Sequence, residues 1–158
     1  MPSASRPPYE SYAVIMATFG GLLGGVGALG RALDRDPQCQ TALDLVVLAG
    51  ASFKAARTLA RDEVTSFVRE PFVRGHAHTG EDEEPVQGGM HQAIGELVTC
   101  TRCAGTWAAA ALVSTQILAP RFGRLLTWSL AAAAANDFLQ ATFSALTAKA
   151  NELEEETA

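Results

Sequence analysis

Cys100 and Cys103 are separated by Thr101 and Arg102, a spacing that lets two thiolates bind one tetrahedral metal ion or close into a reversible disulfide. As a metal knuckle the pair supplies two of the four ligands zinc takes, and Gly105 just beyond it lets the backbone turn amides toward the sulfurs. The other ligands would come from His76, His78, His91 or Cys39, or from the same pair in a second subunit. As a thiol redox couple the pair stands at the expected start of a helix, where the macrodipole and Arg102 lower a thiol pKa. The pattern lacks the strands alternating with helices that a thioredoxin-type fold requires. The third reading is packing, with two small, soft side chains filling a helix start near a membrane surface.

Asp137, beside Asn136, interrupts an otherwise apolar last helix, and a carboxylate at membrane depth is costly enough to mark a functional position. It either binds a cation, pairs with Arg57 or Arg61, or lies at headgroup level where the apolar span ends near Ala135. Asp44, an early-helix acid, is suited to offsetting the helix dipole. Trp107 and Trp128 fall near expected helix ends, as interfacial anchors and core residues both do. No catalytic constellation or nucleotide-binding motif accompanies them, which favours a non-enzymatic role.

The elements that must position these groups follow from the apolar runs. Residues 1–11 form a polar N-terminal segment that does not read as a cleaved signal: consecutive prolines and an acid precede the apolar run, and no small-x-small site follows it. The uncharged run from Tyr12 to Gly30, at about 1.5 Å per residue, nearly matches a hydrocarbon core of about 30 Å. It is expected to be an N-terminal transmembrane helix over 12–33. Its glycines disfavour a helix in water, but two Gly-x-x-x-Gly pairs permit close helix contact in lipid.

A polar hinge around Asp36-Pro37 leads into a second helix near Ala42, apolar to Phe53 and then amphipathic through Lys54, Arg57 and Arg61. Glu70-Pro71 ends it. Residues 72–95, with four consecutive acids at 81–84, read as a polar loop. A helix from near Cys100 to Pro120 and another from Leu125 to about Lys149, joined by the basic turn Arg121 to Arg124, predict an antiparallel hairpin. The acidic tail 149–158 is expected to fray.

The 158-residue chain suits one domain, and its 48% hydrophobic content lies on the apolar side of ordinary usage. The net charge of −5 comes largely from the acids at 81–84 and 152–156. The basic residues of the central segment are interleaved with Asp62, Glu63 and Glu70, so no stripe suits nucleic acid. Three cysteines, an odd number, argue against a disulfide framework. Six Lys or Arg lie between Lys54 and Arg102, against two at 31–41 and two at 121–124, which predicts that the large loop faces the cytoplasm.

Two blocks carry a resemblance. One runs from Ala51 to Thr65 (ASFKAARTLARDEVT) and on to Arg69-Glu70-Pro71-Phe72; the other runs from Gly95 to Trp107 (GELVTCTRCAGTW). In these the chain resembles a family of small bacterial membrane proteins, domain-of-unknown-function family 1360, over about Leu43 to Ala148. That family usually has a proline inside the cysteine pair and an aromatic before the tryptophan, where Thr101 and Thr106 stand here. The resemblance implies membrane location and no established activity. Its blocks single out Arg57, Arg61, Asp62 and Arg69, with Glu96 and Trp107, as partner-binding or structural residues.

The expectation is therefore an all-α membrane helical bundle of three to four short helices, with a family-like domain over 42–148 and a polar cytoplasmic loop, in the bacterial cytoplasmic membrane. It would act by binding a protein partner or a second copy, with zinc as the candidate cofactor at Cys100 and Cys103. The alternatives are a membrane thiol redox protein and a soluble alanine-rich bundle that self-assembles.

Overall fold

A computed structural model describes residues 7–35, 40–75 and 83–157. The described residues form helices α1 (Tyr9–Ala32), α2 (Ala42–Arg61), the single turn α3 (Ser66–Arg69), α4 (Gly89–Thr99), α5 (Thr101–Leu118) and α6 (Pro120–Thr157). Two 3₁₀ turns flank α3, and β1 (Val73–Arg74) pairs antiparallel with β2 (Glu84–Pro85) in the register Val73 with Pro85. The fold is all-helical apart from this ladder.

Local chemistry sets the helix ends. Thr41 and Asp44 form a capping box at the start of α2: the Asp44 amide donates to Thr41 Oγ1 over 3.2 Å, and the Thr41 amide donates to Asp44 Oδ2 over 2.9 Å. Pro120 opens α6 at a position where its missing N–H removes nothing. The expected hairpin between α5 and α6 closes because residue 123 is glycine: a Cβ there would lie 2.5 Å from the Gln116 amide nitrogen.

α2, α5 and α6 pack along a seam of small residues. Ala51, Ala56, Ala60, Ala104 and Ala134 are buried, Gly50 lies against Ala131, and Gly105 lies against Ala56. Large apolar side chains stand on the outside, among them Leu45, Val46, Leu125 and Leu139. Pairs along the helices fix their directions. Gly50 meets Ala131 while Phe53 and Lys54 meet Phe138 and Asp137, so α2 and α6 are parallel. Phe19 meets Trp107 and Gly30 approaches Ile117, so α1 and α5 are parallel. The alternation gathers the C-terminus of α2, helix α4 and the start of α5 at one end of the bundle, and the end of α1, the start of α2 and the α5–α6 turn at Ala119 at the other.

Two expectations need correction, and a third is met only in part. Part of the loop assigned to 72–95 is helix α4, which begins at Gly89 and ends where Cys100 turns extended. The tail expected to fray from 149 continues α6 through Thr157. Among the described residues α1 alone is long and apolar enough to cross a membrane by length and composition; α2 carries three cations in its second half, and α5 is diluted by alanine.

Candidate functional site

The polar end of the bundle is built around Arg69, which has no exposed surface. Its Nε and Nη2 donate to the Glu83 carboxylate at 2.9 and 3.0 Å, and Glu83 is itself only 2% exposed. Its Nη1 donates to the carbonyls of Leu59 and Asp62 at 2.7 and 3.1 Å and to Thr65 Oγ1 at 2.9 Å. The guanidinium therefore closes the C-terminus of α2, where carbonyls lack helical partners, and ties it to the start of β2. Two buried opposite charges with several hydrogen bonds hold geometry firmly, because neither can lose its partner without leaving a bare charge. α4 then lies on this hairpin at Gly95, where a Cβ would stand 2.5 Å from the Phe72 carbonyl oxygen.

Glu96 and Trp107 face α1. Tyr12 donates its hydroxyl to Glu96 Oε2, Gln92 Nε2 donates to Glu96 Oε1 over 2.9 Å, and the rings of Phe19 and Trp107 meet edge-on at 5.0 Å. One polar and one aromatic contact thus dock α1 along α4 and α5.

Cys100 is the N-cap of α5: its Sγ accepts from the Cys103 amide over 3.4 Å. Both thiols are free, Cys100 partly covered and Cys103 exposed. The Cys103 thiol and then the nearby backbone amides push the Cys100 thiol below its ordinary range. The Cys100 thiol and burial push Cys103 up to about 11. The pair is asymmetric, with a more acidic thiol at the helix start and a resistant one a turn later. His91 is exposed and its ring lies against Phe72, while Cys39, His76 and His78 fall outside the described residues. Among the described residues no group of three or more His, Cys, Asp and Glu is placed to hold a metal ion, so the two cysteines have no third zinc ligand there.

Asp137 pairs with Lys54 at 2.7 Å, in place of the expected Arg57 or Arg61. Arg57 and Arg61 are on exposed positions of α2, and Asp62 is half-buried with its carbonyl engaged by Arg69. The expected residues thus divide into a clamp (Arg69, Asp62), an α1 dock (Glu96, Trp107), a thiol pair (Cys100, Cys103) and an interhelical ion pair (Asp137). Sequence reasoning missed Glu83, Tyr12, Gln92 and Lys54. Only Lys54 left a signal, lying within the same cationic turn as Arg57.

A family model described as "Protein of unknown function (DUF1360)" matches residues 47–143. The chain is similar to UPF0713 protein YngL of Bacillus subtilis (strain 168), with 27% identity over 104 residues that cover 62% of this chain and 76% of that protein. No solved structure matches. The matched range contains each group above except Tyr12 and Phe19, which belong to α1.

Proposed function

This chain belongs to the DUF1360 family of proteins of unknown function, and from that premise we propose that it is a small integral membrane protein without enzymatic activity that binds a partner at the polar end of its bundle. The observation that carries this reading is the inversion of side-chain size, with alanine and glycine inside and large apolar residues such as Leu43, Leu45 and Val46 outside. Lipid gives helices no hydrophobic reason to associate, so small residues that let backbones approach line their contacts and large apolar groups face the acyl chains. In water the same exterior would promote aggregation.

In this reading 12–33 spans, and α2, α5 and α6 of the 42–148 domain span with it as a four-helix membrane bundle. Lys54 and Arg57 extend toward the headgroups. The excess of Lys and Arg beside the 62–100 segment supports a cytoplasmic position for that end. Exposed Arg57 offers charge to a protein partner there, next to the surface held by the Arg69 and Glu83 clamp. Carbonate washing of membranes tests the reading: the protein should stay in the pellet and be released by detergent. Recovery in a detergent-free supernatant would overturn it in favour of a soluble self-assembling bundle.

The cysteine geometry favours a second reading, a thiol couple. Cys100 and Cys103 would form one S–S bond and give up two electrons and two protons to an acceptor of the disulfide or quinone class. Free-thiol titration before and after reductant checks it: a thiol count unaffected by oxidant and reductant excludes the couple.

A further inference from the structure

Beyond Phe138, whose ring stacks on Phe53, α6 leaves the bundle: from Leu139 through Glu154 every residue is exposed. Residues 139–157 extend about 28 Å at about 1.5 Å per residue. In proteins a helix draws most of its stability from packing of its apolar face, and within one chain no described residue covers this stretch. Its large apolar residues are not scattered. Leu139, Phe143, Leu146, Ala150 and Leu153 follow one another at spacings of four, three, four and three, which is the a and d seam of a coiled coil.

The seam continues back into the bundle. Leu125, Ser129, Ala132 and Asn136 hold the preceding a and d positions and are exposed as well. They lie opposite the face that α6 turns inward through Thr127, Ala134 and Asp137. The seam therefore covers four heptads on the outer face, with a change of character along its length: after Leu125, the small Ser129 and Ala132 and one asparagine beside the apolar bundle, then mostly Leu and Phe beyond it. Close backbone approach suits lipid, and large apolar knobs suit water.

We propose that this face receives a second copy of the chain, the two α6 helices forming a parallel two-stranded coiled coil. Three observations select that occupant. Lys149 falls at a g position and Glu154 at the e position five residues on, the pair that meets across a parallel dimer and attracts there. The Lys149 contact with Glu152 within one chain is more than half exposed on both sides and competes weakly. Asn136 at an a position faces its own counterpart in register, where each amide can satisfy the other. The orientation rests on the membrane reading above: a two-fold axis along the bilayer normal keeps the two α6 helices parallel. A lipid surface is the poorer occupant, because Glu152 and Glu154 outweigh Lys149 and an acidic helix is repelled by anionic headgroups.

The test uses the full-length protein with Cys39, Cys100 and Cys103 replaced by serine, in membranes and then in detergent. Under mild oxidation the Leu153→Cys chain should cross-link to a dimer, since a parallel seam sets residue 153 opposite itself, whereas Asn151→Cys on the outer face should not. Light scattering of the detergent-extracted wild type should give twice the protein mass of one chain, and Leu146→Glu should halve it while Ser144→Glu does not. A carbonate-resistant protein that is monomeric, or that cross-links equally at 151 and 153, overturns the seam and leaves the membrane reading intact. A soluble protein that still cross-links at 153 alone overturns the membrane reading and keeps the seam.

Discussion

Lys54 Nζ and Asp137 Oδ2 lie 2.7 Å apart and join α2 to α6 beside the stacked rings of Phe53 and Phe138, whose centroids are 5.4 Å apart. The pair is partly exposed, with 22% and 39% of the two side chains accessible, so screening by water limits its worth. A double-mutant cycle with Lys54→Ala and Asp137→Ala, followed by unfolding in detergent, should give a coupling energy of about 1 kcal/mol or less. A coupling of about 3 kcal/mol would mean the pair is screened far less than its exposure implies.

Arg69 and Glu83 should behave differently, because both are sealed from water. Arg69→Ala should cost about 3–5 kcal/mol, since it strands the buried Glu83 carboxylate and takes one donor each from the Leu59 and Asp62 carbonyls and from Thr65 Oγ1. Arg69→Lys should recover only part of the loss, as an ammonium cannot reach both the carboxylate and the Leu59 carbonyl with a planar fork. Hydrogen exchange at 59–72 reads the effect locally, and unchanged protection in Arg69→Ala would refute the clamp.

Glycines in α1 and in the α5–α6 hairpin are predicted to respond oppositely to alanine. Gly24 has nothing within 4 Å of an added Cβ, so Gly24→Ala should raise helix stability by up to about 1 kcal/mol. Gly123→Ala and Gly95→Ala drive a methyl to 2.5 Å from backbone atoms and should destabilise by about 1–3 kcal/mol. Thermal unfolding of the three variants, compared side by side, checks the contrast.

Alkylation should separate the two thiols by pH. Cys100 is held below the ordinary thiol range, so its labelling should begin at lower pH than that of a free cysteine; Cys103, pushed up to about 11, should resist until far higher pH. The Cys103 thiol is the main cause of the Cys100 shift, and removing that donor destabilises the thiolate. In Cys103→Ala the onset of Cys100 labelling should therefore move upward. Mass spectrometry of iodoacetamide adducts across pH 6–10 follows both sites, and equal reactivity would refute the asymmetry.

Much of the architecture was legible because it rests on local pattern. The uncharged run before Arg31 marks α1, the apolar run after the Asp36-Pro37 hinge marks α2, and the break near Pro120 marks the α5–α6 hairpin, although residues 121–124, expected as its turn, already belong to α6. Cys100 was placed at a helix start by the apolar run after it, and the two matching blocks identified the family. These signals need only a few neighbouring residues, and that is how helix ends are decided.

What remained hidden depended on contacts between distant segments. Two glycines count against helix at 89–95, and only the approach of α4 to Phe72 and Pro85 explains why Gly95 belongs in one. Nothing in the acidic run 81–84 distinguishes Glu83, because its distinction is burial against Arg69. Lys54 rather than Arg57 meets Asp137 because burial of Ala51, Ala56 and Ala60 sets the rotation of α2, and rotation decides which cation faces α6. Composition and spacing determined which segments are helices and which residues carry charge; close packing of small side chains, felt only once the helices touch, decided which charges meet.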